Sequence, residues 1–269
     1  MSNGLRIAGA VALTTALAAC GRNSAPVPSA KPSSAPAAPA SVVATAATTL
    51  ASTLDVSATP KARPVTPTLE VPRAPKAITP SSEFDVQVWG NAVNTHTLLD
   101  DAGKGAVPVS ESRFLWGQQQ LYLAFYAGDL DLEMREKKHD GPVWKDDSMS
   151  VSFFVSGQKK RTLVVSPLGV LADGICPADA ADLSDARCDL RWESHARFAV
   201  DADGTVNKLG DFDEEWTVEL AIPLASFEAK PVPGTELAFS LKRCDMAFDG
   251  KRAFGAWGSN EHPAKLVLQ

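Results

Sequence analysis

The sequence has no aromatic residue before Phe84; its 11 Phe, 6 Trp and 2 Tyr all lie at or after that position. A stretch without large apolar side chains cannot nucleate a core, so the folded part is expected in the last two thirds of the chain. No run reaches the roughly 18 to 20 apolar residues of a spanning helix, which excludes a helical membrane protein. The four histidines, His96, His139, His195 and His262, show no ligand spacing and there is no CxxC pair, so no metal site is expected; the missing CxxCH excludes covalent haem. A GxSxG elbow is also absent. Nothing in the pattern places Asp146, Asp147, Glu214 or Glu215 as a carboxylate pair across a cleft, and no enzymatic activity is expected. Positive charge is short as well: residues 81–269 hold 19 basic and 30 acidic side chains, a net of −11. Such a surface repels phosphate backbones, which argues against a nucleic-acid partner, and suits calcium or neutral ligands.

The N-terminus reads as an export signal. Arg6 lies in a weakly charged leader, and Ile7 to Ala19 form an apolar region of signal-peptide length that is too short to span a bilayer. Leu17-Ala18-Ala19-Cys20 resembles the lipobox of bacterial lipoproteins. The resemblance implies that residues 1–20 are a lipoprotein signal, that Cys20 becomes the acylated N-terminus with palmitate among its chains, and that the partner there is a lipid bilayer. Gly21 rather than Asp at the next position implies sorting to the outer membrane of the cell envelope. Residues 21–80 are dominated by Pro, Ala, Ser and Thr and read as a disordered tether, semi-extended at up to ~3 Å per residue.

With Cys20 taken by lipid, three cysteines remain and at most one bridge can form within the chain. Cys176 and Cys188 bracket a polar, Asp- and Ala-rich loop and are expected to close it as a disulfide, while Cys244 lies in an apolar alternating run and is expected to be a buried thiol.

Residues 81–269 read almost entirely as short strands: Phe84–Trp89, 113–116, 121–127, 149–155, 162–166, 197–200, 216–222, 237–244, 252–257 and 265–268. Met149, Val151, Phe153 and Val155 alternate with Ser148, Ser150 and Ser152, and Leu237, Phe239 and Leu241 with Ser240 and Lys242. Many short alternating strands without a helical period indicate an all-β fold, an antiparallel two-sheet β-sandwich of jelly-roll or immunoglobulin-like kind. Asp203-Gly204 signals a hairpin turn. No cofactor is expected; a structural calcium ion (Ca2+) held by the acids of Asp201 to Thr205 is the alternative, although the EF-hand pattern is not met.

The order of motifs carries more. Arg113-Phe114-Leu115-Trp116, Leu121 to Phe125, Asp129-Leu130-Asp131 and Val143-Trp144-Lys145-Asp146-Asp147-Ser148 are followed by Trp216-Thr217-Val218-Glu219-Leu220-Ala221-Ile222-Pro223 and by Pro233-Gly234 to Arg243. This set, over residues 84–269, resembles family 9 carbohydrate-binding modules and the wider DOMON-like sandwiches. The resemblance implies a non-catalytic module that binds an oligo- or polysaccharide through aromatic stacking and charged hydrogen-bonders. Trp144 falls at the first clamp position and Trp257 aligns with a tryptophan common to the family. Ser150 stands where the family often has a sugar-contacting Glu, and His262 where a second clamp tryptophan is expected. Arg161 and Lys242 are candidate donors on the same face. Two other readings stay open: b-haem binding with Met149, Met246 and His195 as candidate axial ligands, and a structural or adhesive envelope lipoprotein without a small ligand.

Overall fold

The computed structural model describes residues 67–100, 103–106, 108–208, 212–246 and 252–269. The expected signal segment with Cys20, and residues 21–66 of the expected tether, lie outside the described residues. Strands β1 (Thr68–Val71), β5 (Ser148–Val155), β6 (Lys159–Val165), β7 (Leu171–Pro177), β10 (Glu236–Met246), β11 (Arg252–Trp257) and β12 (Ala264–Leu268) form one sheet in the order β1-β12-β10-β5-β6-β7. Strand β10 pairs along one edge with β5 and along the other first with β12, through Glu236 to Phe239, and then with β11, through Leu241 to Met246. The second sheet has the order β2-β3-β4-β9-β8, with β2 (Val93–Asn94), β3 (Ser110–Gly117), β4 (Gln120–Gly128), β8 (Arg197–Asp203) and β9 (Glu215–Pro223). The fold is the expected all-β sandwich, antiparallel except where β1 runs parallel to β12.

Alternation decides which side chains meet between the sheets. Met149, Val151 and Phe153 of β5 and Phe239 and Leu241 of β10 are buried in one core with Phe114, Leu123 and Phe125 of the facing sheet. The Phe114 and Phe239 rings meet edge to face at 5.3 Å and join the two layers. Burying each such side chain contributes roughly 1.5–3 kcal/mol. Across the outer face of the five-stranded sheet runs the segment before β2, where Ile78 and Trp89 cover Leu115, Tyr122 and Ala221. Trp89 Nε1 donates to Glu219 Oε1 at 2.8 Å and the Ser81 amide to Glu219 Oε2 at 3.1 Å, so this motif glutamate anchors the cover.

Four details differ from the expectation. The sandwich takes up residues assigned to the tether, because Leu69 and Val71 alternate with Thr68 and Glu70 and bury their side chains against β12. Phe84–Trp89, expected as a strand, contains a single helical turn, Val86–Trp89, started by the Asp85 side chain accepting the Gln87 amide at 2.8 Å. Strand β7 is additional; its Ala172, Asp173 and Gly174 carry no strand signal, and the ladder to β6 imposes the conformation. Asp203-Gly204 ends β8 but makes no tight hairpin, since β9 begins only at Glu215.

Candidate functional site

The outer face of the seven-stranded sheet is built from residues opposite in parity to the core. Register lines them up in rows: Gly174, Thr162, Ser152 and Ser240 across β7, β6, β5 and β10, and beside it Ala172, Val164, Ser150, Lys242 and Ala256. Ser152 and Thr162 share a hydroxyl hydrogen bond of 2.8 Å, and Ser150 Oγ donates to the Lys242 carbonyl at 3.3 Å. The floor is therefore short-chained and hydroxyl-rich. Lys242 extends its ammonium over the Phe254 ring, 4.8 Å from the centroid, at one side.

Two loops meet over the other side. Cys176 and Cys188 form the expected disulfide, and Cys244, buried on β10, takes no part in it. The bridged loop returns to β7 through reciprocal backbone bonds between Ile175 and Asp189. A Cβ on Gly174 would stand 2.9 Å from Leu190 Cδ2 and 3.1 Å from the Asp189 carbonyl, which is why this strand position carries glycine. Buried Lys160 donates from Nζ to the Ala180 carbonyl at 2.5 Å and to Asn260 Oδ1 at 2.9 Å, tying the disulfide loop to the β11–β12 connection. Burial lowers its pKa to about 8, against the pull of Asp182. Neither Lys160 nor Asn260 was singled out by sequence; a lysine sharing parity with Thr162 and Val164 was the available signal.

Of the residues singled out, Ser150 and Lys242 lie on this face and Trp144 at its margin. Trp144, in a short 3-10 turn Val143–Lys145, is half-buried against a satellite cluster that includes Val164, Ala172 and Leu190. His262 is exposed in the β11–β12 connection, its amide donating to Ser259 Oγ at 3.0 Å. Two candidates lie elsewhere. Arg161 pairs in register with Phe153 and so falls on the inner side, where Nη2 meets Glu228 Oε1 at 2.6 Å and Nη1 the Ser226 carbonyl. Trp257 pairs with Leu241 and packs against the main core. For each of the two, strand parity overrides motif alignment.

The carboxylates are engaged in architecture. Asp146 Oδ2 accepts the Arg135 and Glu136 amides at 2.9 and 2.7 Å, and Asp147 accepts the Glu133 and Met246 amides at 2.5 Å each. Arg243 donates from Nη2 to Asp129 Oδ2 at 2.9 Å and from Nη1 to Ser110 Oγ at 2.9 Å, and it lies 3.6 Å from Asp245. Burial raises Asp147 to about 9, helped by Asp129, and raises Asp129 to about 6 against the pull of Arg243. Asp129, Asp147 and Asp245 bring three ligand atoms within 4.8 Å of one another, but the Arg243 guanidinium already supplies their positive charge, which does not fit a calcium ion there. At the acidic turn before β9, Asp213 binds the Thr205 and Leu132 amides at 2.7 and 2.6 Å, while Asp201 and Asp203 are exposed on β8. The haem candidates are dispersed: Met149 is sealed in the core, Met246 lies on the opposite face of the same sheet, and His195 precedes β8.

A second grouping lies at the other edge of the same sheet. His139, Asp140 and Asp173 also bring ligand atoms within 4.8 Å of one another. Asp173, on the inner side of β7, is fully buried and accepts the Ser194 amide on Oδ2 at 2.9 Å. Burial raises its pKa, with the Ser194 hydroxyl and amide pulling the other way.

Solved structures with this fold include a candidate carbohydrate-binding protein from Bacteroides uniformis, with a TM-score of 0.57 at 12% identity over 76% of this chain and 100% of its own. A family 9 carbohydrate-binding module from Caldicellulosiruptor kristjanssonii, solved with glucose, gives a TM-score of 0.50 at 16% identity over 75% of this chain and 95% of its own. Neither a family model nor a curated protein matches the sequence. At these identities the likeness is one of fold, and it bears out the sandwich that the motif order implied.

Proposed function

We propose that the sandwich is a non-catalytic saccharide-binding module and that the sugar lies on the outer face of the seven-stranded sheet. The observation that carries this is the pair of part-exposed hydroxyls Ser150 and Ser240, above the buried Ser152–Thr162 hydroxyl pair and flanked by Lys242 over Phe254 and by Trp144. A sugar ring needs an apolar plane for its C–H face and donors and acceptors for its rim, and these residues offer both. The fold likeness to a module solved with glucose supports the reading. Stacking and a few hydrogen bonds, set against immobilisation of the ligand, lead to affinities of order micromolar to millimolar.

Calorimetry of the full chain against gluco-, xylo- and chito-oligosaccharides tests it. Ser150→Trp fills the floor without removing a core contact and should abolish binding while the thermal melt stays parental. Lys242→Ala should weaken binding roughly 5- to 10-fold. No heat with any sugar, or full binding by Ser150→Trp, would remove the assignment.

Cys20, by its lipobox resemblance, anchors the module to an envelope membrane in this proposal, with the Pro- and Ala-rich stretch supplying reach. Detergent-phase partition of the expressed chain checks the anchor: Cys20→Ala should move it to the aqueous phase, and an unchanged partition would sink the idea.

A further inference from the structure

We propose that His139, Asp140, Asp173 and Glu193 form a binding site for a divalent transition-metal ion of the zinc class, separate from the saccharide face. The four residues come from three distant segments: the connection after β4, strand β7, and the run leading into β8. Their placement is fixed by the backbone. The Asp140 amide donates to the Leu171 carbonyl at 3.1 Å, and Asp140 Oδ1 accepts the Asp173 amide at 3.2 Å, so both ends of that residue are bound to β7.

The spacing of the side chains distinguishes a metal site from a set of ion pairs. His139 Nε2 lies 3.5 Å from Asp140 Oδ2 and 3.4 and 3.3 Å from the two oxygens of Glu193. A charge-assisted hydrogen bond closes to about 2.7–2.9 Å, and none of these contacts does. Ligand atoms on a tetrahedral ion with bonds of about 2.0–2.1 Å stand about 3.3–3.4 Å apart, close to the separations of His139 Nε2 from Asp140 and Glu193, and an Asp173 oxygen lies within 4.8 Å of the His139 and Asp140 ligand atoms.

Asp173 supplies an independent sign. Its Oδ1 is sealed from solvent and has no hydrogen-bond partner among the described residues, and an oxygen of the same carboxylate lies within 4.8 Å of ligand atoms of His139 and of Asp140. A buried carboxylate oxygen without a donor is costly, and a cation is the partner that removes the cost. One imidazole with carboxylates suits zinc and its neighbours in the first transition row, whereas calcium prefers six to eight oxygens. An entry path exists as well: His139 and Glu193 line an open cleft of about 350 Å³ together with Lys137, His195 and Phe198.

The test is titration of the untagged full chain with zinc chloride against a chromogenic chelator, repeated with cobalt(II), whose visible spectrum separates four- from six-coordination. One zinc per chain is expected, with a four-coordinate cobalt spectrum and no displacement by a hundredfold excess of calcium. His139→Ala should weaken zinc binding roughly 100-fold or more, and Glu193→Gln roughly 10-fold. Both residues are solvent-accessible, so melts of the metal-free variants should match the parent and show that folding is intact. Absence of stoichiometric zinc binding, binding that survives His139→Ala, or equal competition by calcium would each overturn the proposal.

Discussion

Two groups of acids sit in this sandwich, one wholly buried and one buried only at Asp173, and their charge is met in different ways. At one, Asp129, Asp147 and Asp245 gather around Arg243, whose guanidinium is almost fully buried and whose Nη groups also bind Ser110 and the Pro108 carbonyl. At the other, Asp140 and Glu193 face the His139 imidazole at distances too long for charged hydrogen bonds, an Asp173 oxygen lies within 4.8 Å of the His139 and Asp140 ligand atoms, and Asp173 Oδ1 has no donor among the described residues. The first group carries its own cation and is complete as a structural joint between the sheets. The second is anionic too, and among the described residues no guanidinium forms an ion pair with it, which is what a site for an external cation requires. A cluster of acids is thus a poor guide to metal binding until the basic groups around it have been placed.

The largest effect should come from breaking the first group. Arg243→Met leaves Asp129 and Asp245 buried without their counter-charge, a loss of roughly 3–5 kcal/mol in urea unfolding at pH 8. The cost should shrink toward pH 5. Asp129 titrates at about 6 even with Arg243 beside it, and removing the guanidinium pushes that value higher. A folded-state carboxylate pKa above the unfolded one means that the folded variant binds protons through this window where the unfolded chain has lost them, so its relative stability rises as pH falls. A cost equal at pH 5 and pH 8 would show that the fork of hydrogen bonds to Ser110 and Pro108, and not the charge, is what Arg243 contributes.

Neither group was singled out by sequence, although the first left a physical signal there. Arg243 closes a run of alternating apolar residues, and an arginine on the core parity of Leu237, Phe239 and Leu241 has to find buried acids. The main strands were legible on the same ground, since period-two burial is written directly into Met149, Val151 and Phe153. Strand β1 was hidden by the Pro-rich composition around it, and β7 by its small residues. That Trp257 and Arg161 fall on the inner side of the sheet could not be read in advance, because a motif gives identity without parity and one step of register moves a side chain through the sheet. The His139 group was invisible because its members come from three separate stretches, at 139–140, 173 and 193, and meet only once β7 is in the sheet. Ser150 and Lys242 could be paired in advance only as two outward positions; the ladder makes them neighbours.

The smallest effect should come from Asp173→Asn in chelator. At a position buried as completely as Asp147, loss of a carboxylate normally costs its hydrogen bonds. Here the Asn oxygen can still accept the Ser194 amide, as Asp173 Oδ2 does at 2.9 Å, and no donor is lost at Oδ1 because none was there. The new side-chain amide can also donate, and His139 and Asp140 bring acceptor atoms within 4.8 Å of this carboxylate. Metal-free stability should therefore stay within about 1 kcal/mol of the parent, in contrast to the Arg243 variant. Zinc at a hundred times its dissociation constant adds about 2.7 kcal/mol to a chain that binds it only when folded, and Asp173→Asn should forfeit most of that gain. Parallel urea titrations in chelator and in zinc read both numbers. A loss of more than about 2 kcal/mol in chelator would place Asp173 with Asp147 as a structural acceptor, and the difference between the two groups would vanish.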